Sequence, residues 1–145
     1  MLGKPSMRVY LDTSVYDAAW LLEKREGKLV FPDFEKFVNS AIDCKHFIIA
    51  SELIEKEMLS KYPQLEGPWA DFIRQVGKKL IWAELTDELL VAANVISDEG
   101  LGFHHPDSVH FMIAKNFADA LVTFDSDFGK AAARKMTVKN LNELD

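Results

Sequence analysis

The chain has 145 residues, a net charge of −6 and a hydrophobic fraction of 48%. This composition excludes a disordered chain and is typical of one domain that can bury a core. No apolar run approaches the roughly 20 residues of a membrane span, and a single cysteine, Cys44, cannot form an internal disulfide, so we expect a reducing, cytoplasmic setting.

The sequence divides into an N-terminal extension, residues 1–7, and one domain over residues 8–145. The extension lacks the apolar core of a signal peptide. The domain is predicted to contain, in chain order, a strand at 8–11, helices at 13–26 and from 32, a strand at 47–50, helices at 51–61 and 69–76, an apolar stretch at 80–82, helices at 86–100 and 106–117, a strand at 120–124, a helix at 127–134 and a strand near 136–138.

The boundaries of these elements rest on capping and breaking residues. Ser51 and Thr86 are of the types that cap helix N-termini, Gly27 is expected to end the first helix, and Gly67 and Pro68 are expected to break the chain. Strands that are apolar throughout and alternate with helices predict an α/β fold, a three-layer α/β/α sandwich with a central, mainly parallel sheet.

Two aspartates directly follow predicted strands. Asp12 follows the first strand and Asp125 the strand near the C-terminus, and functional residues of such sheets collect where strands end. Either aspartate can instead be an ordinary helix N-cap, and the segment Asp125–Gly129 also has turn chemistry.

Glu57 is predicted on the apolar face of its helix, with Leu53, Ile54 and Met58 as neighbours. A buried carboxylate is costly unless a partner compensates for it. Two explanations stay open: a lysine or arginine partner, or a metal ion shared with other carboxylates.

Asp107 begins a predicted helix after His104-His105-Pro106, where it can be an N-cap, a site residue or both. The spacing of the histidines matches no zinc site, and His110 is predicted to be a partly buried hydrogen-bonding residue. Carboxylates brought close together repel one another unless a cation binds. An all-oxygen site favours Mg²⁺ or Mn²⁺, which activate water for phosphodiester hydrolysis.

Segments of the chain resemble the motifs of the PIN domain family from about residue 8 to the end. They follow the order of that family and are Val9–Val15, Ala50-Ser51 with Glu57, Asp107–Ala114, Asp119–Phe128 and the closing tail Val138–Leu144. The resemblance implies a PIN-like fold and a Mg²⁺- or Mn²⁺-dependent ribonuclease, often the toxin of a VapBC-type toxin–antitoxin pair.

By this resemblance, metal binding and catalysis would fall to Asp12, Glu57, Asp107 and Asp125, with Asp127 as a lesser ligand. Thr13 or Ser14 would position water or phosphate. We expect basic side chains at the rim, Lys56, Lys130 and Arg134, to hold the RNA backbone. Arg74, Lys78 and Lys79 either contact RNA or solvate a helix.

The partners implied are RNA, a cognate antitoxin and a second copy of the chain, with no membrane. A non-catalytic PIN module that binds RNA or protein is the main alternative. A haloacid dehalogenase-type phosphatase is disfavoured, because that family has a second aspartate where this chain has Ser14.

Overall fold

The computed structural model describes residues 6–43, 46–100, 102–104 and 106–144. Most of the N-terminal extension, together with Cys44 and His105, therefore lies outside the described residues. The strands are β1 (Met7–Leu11), β2 (Lys24–Arg25), β3 (Lys28–Leu29), β4 (His46–Ser51), β5 (Leu80–Ala83) and β6 (Ala120–Val122). The α-helices are α1 (Thr13–Trp20), α2 (Phe31–Ile42), α3 (Glu52–Lys61), α4 (Glu66–Val76), α5 (Asp87–Asp98), α6 (Asp107–Phe117) and α7 (Ser126–Ala133).

The central sheet has four strands in the order β5-β4-β1-β6, and every neighbouring pair is parallel. In the register of β1, Val9 lies opposite Ile48 of β4 on one side and Ala120 of β6 on the other. The predicted α/β class with a parallel sheet is confirmed. Where each strand ends, the chain enters a helix on the same edge of the sheet, so residues that follow different strands come together there.

The core surrounds the middle strands of the sheet. Val9, Tyr10 and Leu11 of β1 are all 0% exposed, and since successive side chains point to opposite faces, both faces of the sheet are covered. Helices α1 to α4 pack on one another, as do α5 and α6, an arrangement compatible with three layers. Within the described residues, no helix is long and apolar enough to cross a membrane.

The segment after α1 differs from its prediction. The helix ends at Trp20 rather than near Glu26, and the following residues form an antiparallel hairpin from β2 and β3. Glu26 and Gly27 occupy the turn with φ of +53° and +80°, the left-handed conformations that a two-residue hairpin turn needs. Gly27 therefore closes a hairpin instead of ending a helix.

Two further boundaries were wrong. Helix α4 begins at Glu66 and takes Gly67 and Pro68 into its first turn, where a proline is tolerated because the first amides of a helix have no intrahelical acceptor. The strand predicted near 136–138 is reduced to a single parallel bridge between Leu121 and Val138. The other predicted elements are present, with ends shifted by a few residues.

Candidate active site

The sheet order places a crevice between β1 and β6. The chain runs from β1 outward through β4 to β5, then crosses back to β6 on the other side of β1. Such a reversal is a topological switch point, and the carboxyl ends of the strands on its two sides form a ready binding crevice. Asp12 directly follows β1, and Thr123 directly follows β6.

Asp12 is fixed at this crevice by hydrogen bonds to both carboxylate oxygens. It is only 5% exposed and caps α1, its Oδ1 accepting from the Ser14 amide at 3.0 Å and from the Ser14 hydroxyl. Its Oδ2 accepts from the Thr123 hydroxyl at 2.6 Å. Burial raises the pKa of Asp12, an effect that His110, Ser14 and Thr123 oppose without cancelling.

A cleft of about 410 Å³ opens beside Asp12. All four carboxylates predicted from the sequence line it, as do the predicted positioning residues Thr13 and Ser14. The complete lining is Asp12, Thr13, Ser14, Asp17, Glu57, Lys61, Pro106, Asp107, His110 and Asp125. Residues of α1, α3 and α6, together with the N-caps of α1 and α7, therefore converge on one place.

The sequence left two explanations open for Glu57, a basic side chain or a metal ion. The structure instead places a threonine hydroxyl and a histidine against it. Its Oε1 accepts from the Thr13 hydroxyl and from His110 Nε2, both at 2.6 Å. Burial acts to raise the pKa of Glu57, but the hydrogen bond and charge of His110, together with the Thr13 hydroxyl, lower it overall. His110 thus favours the ionised form of Glu57, and among the described residues no lysine or arginine forms an ion pair with this carboxylate.

His110 connects Glu57 to the core. It is 3% exposed, and its Nδ1 lies 2.6 Å from the Tyr10 hydroxyl, which in turn lies 3.3 Å from the Ser51 hydroxyl. The predicted hydrogen-bonding role of His110 is confirmed, and its burial is more complete than the partial burial predicted. Since both ring nitrogens are engaged, the imidazole plane is fixed and so is the carboxylate that it contacts.

Asp107 and Asp125 are held less tightly. Asp107 is the first residue of α6 rather than its N-cap, which is Pro106. Burial and the negative charge of Asp125 raise the pKa of Asp107 to about 6. Asp125 is exposed, caps α7 and accepts from the Phe128 amide at 3.0 Å. Its predicted capping role is therefore confirmed, and it shares the cleft as well.

Besides Pro106, three cleft residues with polar side chains were not among the predicted site residues: Asp17, Lys61 and His110. Each follows a predicted site residue by one helical turn, Asp17 after Thr13, Lys61 after Glu57 and His110 after Asp107. Helical spacing from the motif residues was therefore the signal that could have found them. Burial raises the pKa of Asp17 to about 6, with the charge of Lys61 acting in the opposite direction.

The predicted rim residues do not line the cleft. Lys56, Lys130, Arg134 and the predicted lesser ligand Asp127 are all exposed and absent from its lining. Lys56 neighbours Glu57 in sequence, but the 100° step of a helix turns its side chain away. Arg134 lies at the far end of α7, a helix of eight residues.

The basic residues of the 66–82 region lie at the other end of the sheet. Lys78 and Lys79 directly precede β5, and in a parallel sheet this is the amino edge, opposite the cleft. The Lys79 ammonium lies 4.3 Å from the centroid of the Phe47 ring, and Arg74 pairs with Asp71 on the same exposed helix face. Of the two interpretations of these residues, the geometry favours surface roles over contact with a ligand in the cleft.

The carboxylates share a cleft without forming a closed coordination shell. Across residues 6–43, 46–100, 102–104 and 106–144, no group of three or more histidine, cysteine, aspartate or glutamate side chains is placed to hold a metal ion. One of the cleft residues also carries an unpaired buried oxygen. The Oδ1 atom of Asp17 is buried and has no hydrogen-bond partner among the described atoms.

Comparisons with known proteins add nothing to this geometry. No protein-family model matches the chain, and no curated protein matches it.

Proposed function

We propose that the protein is a divalent-metal-dependent endoribonuclease that hydrolyses RNA phosphodiester bonds, built on a PIN-like three-layer α/β/α fold. One observation carries the proposal. The four carboxylates Asp12, Glu57, Asp107 and Asp125 come from four separate elements, yet all line one cleft at the topological switch point. Capping alone would explain Asp12 and Asp125, but it does not explain why Glu57 and Asp107 share their cleft.

The donor chemistry of the cleft fits Mg²⁺ or Mn²⁺. All four donors are carboxylates, the ligands that hard cations prefer. Burial raises the pKa of Asp12, and burial with the charge of Asp125 raises the pKa of Asp107, so the ionised forms of both carboxylates are disfavoured unless a cation binds beside them. The buried Oδ1 of Asp17 is a further carboxylate oxygen that has no hydrogen-bond partner among the described residues. Asp12, Glu57, Asp107 and Asp125 would hold the ion.

A bound divalent ion would supply an activated water and stabilise negative charge at the reacting phosphate. The chain's own residues prepare the site. Ser14 and Thr123 fix the Asp12 carboxylate, while Thr13 and His110 fix that of Glu57, and donors fixed in advance need no reorganisation during the reaction. Lys61 supplies a positive charge at the cleft that can contact a phosphate.

The alternative is a non-catalytic PIN module that uses the same cleft to bind RNA or a protein. One observation favours it: the described carboxylates are not already gathered into a metal-binding group. The two functions differ in metal binding and in cleavage, so one set of measurements separates them.

The test is cleavage of a labelled, mixed-sequence single-stranded RNA in Mg²⁺, Mn²⁺ or EDTA by wild type, Asp107→Asn and Asp87→Asn. The last variant is a matched control, because Asp87 is also the first residue of a helix but is exposed and outside the cleft. We expect metal-dependent cleavage that falls at least about 100-fold in Asp107→Asn and is retained in Asp87→Asn. A wild type that neither cleaves RNA nor binds Mn²⁺ by calorimetry would establish the scaffold instead.

A further inference from the structure

RNA meets an electrostatic barrier at this cleft. Five acidic side chains line it, Asp12, Asp17, Glu57, Asp107 and Asp125, against one lysine, and the whole chain has a net charge of −6. A polyanion needs cationic contacts close by to remain bound. Since the predicted rim residues Lys56, Lys130 and Arg134 do not line the cleft, those contacts must come from elsewhere.

The β2–β3 hairpin has the composition for such contacts. Lys24, Arg25 and Lys28 lie within this short exposed hairpin. Its base is tied to α1 by the Glu23 amide, which donates to the Ala18 carbonyl at 2.9 Å. The hairpin is therefore connected to the C-terminal end of α1, the helix whose N-terminus Asp12 caps.

Arg25 connects the hairpin to the edge of the cleft. Its guanidinium carbon lies 5.4 Å from the centroid of the Phe124 ring, within the range of a cation–π contact. Phe124 is partly exposed, directly precedes Asp125, and its amide donates to the Ser14 hydroxyl at 3.0 Å. An ion pair with Glu23 at 3.1 Å further orients the guanidinium.

The backbone of this segment is unusual. Among the described residues, the non-glycine residues with positive φ are Leu22 at +56° and Glu26 at +53°, and both belong to the hairpin and its base. Such conformations are unfavourable for side-chain-bearing residues and persist where the surrounding structure enforces them, often at functional sites. The hairpin turn accounts for Glu26, and the conformation of Leu22 is the one at the base of the hairpin that the turn does not explain.

We propose that residues 24–29 and Phe124 form a substrate arm that holds single-stranded RNA against the cleft, an inference that rests on the proposed function. Lys24, Arg25 and Lys28 contact phosphates, and an unpaired base stacks at the Phe124 ring beside the Arg25 guanidinium. Single-stranded RNA is the class that fits, because a base must be unstacked from its neighbours before an aromatic side chain can receive it.

The test is binding of a fluorescein-labelled, mixed-sequence single-stranded RNA in EDTA, followed by fluorescence anisotropy at several salt concentrations. The variants are Arg25→Ala and Phe124→Leu, the second keeping an apolar side chain while removing the aromatic face. Arg74→Ala is the matched control, since Arg74 is also exposed and paired with a carboxylate but lies toward the opposite edge of the sheet.

We expect binding to weaken roughly tenfold in both arm variants and to be unchanged in Arg74→Ala. The slope of log K against log salt should fall by about 0.7 in Arg25→Ala and remain unchanged in Phe124→Leu. A merely structural role of Arg25 would not produce this difference in slopes, and circular dichroism melts check that each variant is folded.

Equal RNA binding by wild type and both arm variants overturns the arm, as does an Arg74→Ala variant that loses as much. No RNA binding by wild type also overturns it and would leave the exposed Leu22 and Leu29 as a surface for a protein partner. Because binding is measured without metal, the two proposals fail separately. If wild type cleaves RNA and the arm variants bind RNA as wild type does, only the proposal of the substrate arm is refuted. If RNA binding depends on the arm but no cleavage occurs in Mg²⁺ or Mn²⁺, only the proposal of a nuclease is refuted.

Discussion

Replacing Asp107 by asparagine should leave the metal-free protein at least as stable as wild type while abolishing its activity. Burial and the neighbouring Asp125 charge raise the pKa of Asp107 to about 6, so its ionised form is disfavoured in the folded state. Among the described residues its carboxylate accepts no hydrogen bond that asparagine would lose. The substitution removes a repelled charge and keeps the shape.

The magnitude follows from the difference between the folded and the ordinary pKa. About two pH units correspond to an upper limit of about 3 kcal/mol, and because Asp107 is only partly buried, solvent screening reduces this to roughly 1 kcal/mol. This gain is opposed by the loss of the stabilising interaction between a negative charge and the helix N-terminus, which is about 0.5 kcal/mol. Asp87→Asn also loses a negative charge at a helix N-terminus but relieves no repulsion. The free energies of unfolding of the two variants should therefore differ by roughly 1 kcal/mol, or about 2–4 °C in melting temperature.

The sign of the pH dependence is fixed by the raised pKa. Above about pH 6 the carboxylate is ionised in both folded and unfolded chains, and the full penalty is present in wild type. Below the ordinary pKa of an aspartate, about 3.9, both are protonated and the penalty disappears. The advantage of Asp107→Asn over wild type should therefore be largest near neutral pH and shrink as the pH falls through this window.

The assay is urea unfolding of wild type, Asp107→Asn and Asp87→Asn in EDTA, at about pH 7.5 and about pH 5.5. It is repeated with Mg²⁺ at neutral pH, where binding to the folded state should stabilise wild type and stabilise Asp107→Asn much less. If Asp107→Asn is less stable than Asp87→Asn in EDTA, the electrostatic reasoning is refuted. If Mg²⁺ stabilises neither protein, the assignment of Asp107 as a metal ligand fails independently of any activity measurement.

Three other substitutions should act through the hydrogen bonds that fix the carboxylates. Glu57→Gln should destabilise the metal-free protein by about 1–2 kcal/mol in urea unfolding, because His110 favours the ionised carboxylate; a stabilised variant would contradict this. Thr123→Val should cost about 1–3 kcal/mol by leaving an oxygen of the buried Asp12 without its donor, which a double-mutant cycle with Asp12→Asn would reveal. Tyr10→Phe should cost a similar amount and lower kcat more than KM, since the His110 imidazole would lose the contact that orients it; an unchanged kcat would refute that role.

The parallel sheet could be predicted because its signals are local. The run Phe47–Ala50 is apolar on both faces, as a central parallel strand must be, and the model has Ile48, Ile49 and Ala50 at 0% exposure. Ser51 and Thr86 cap helices α3 and α5 as predicted, since capping depends on a side chain and amides two or three residues away.

The hairpin could not be predicted in the same way. Its residues have no apolar alternation, and its strands are only two residues each. Its long-range contact is the position of Arg25 over Phe124, about 100 residues away in sequence, and a local pattern carries no information about that contact. The local sequence pattern led to the wrong prediction that α1 continues through this segment, because Gly27 is an equally good signal for a helix end and for a hairpin turn.

The residues of the site also differ in whether local sequence or a long-range contact is needed to predict them. The four carboxylates of the cleft could be identified because the order of the motifs and the ends of the strands can be read from the sequence. The partner that each of them contacts could not be predicted, since the contact of His110 with Glu57 spans 53 positions. The basic residues expected at the rim were chosen for being near the motifs in sequence, and that criterion carries no information about which way a helical side chain points.

The cleft carboxylates fall into two kinds, and the division itself favours a bound cation. Asp12 and Glu57 have donors from the protein that fix them and compensate for their burial. Asp107 has no described donor, and Asp125 repels it. Asp125 has a donor only in the Phe128 amide that it caps, so a cleft used only as a scaffold would gain stability from a neutral side chain at Asp107. The charge of Asp107 is explained if a ligand supplies the missing positive charge. Two rigid carboxylates would then set the position of the cation, while the other two would complete its binding.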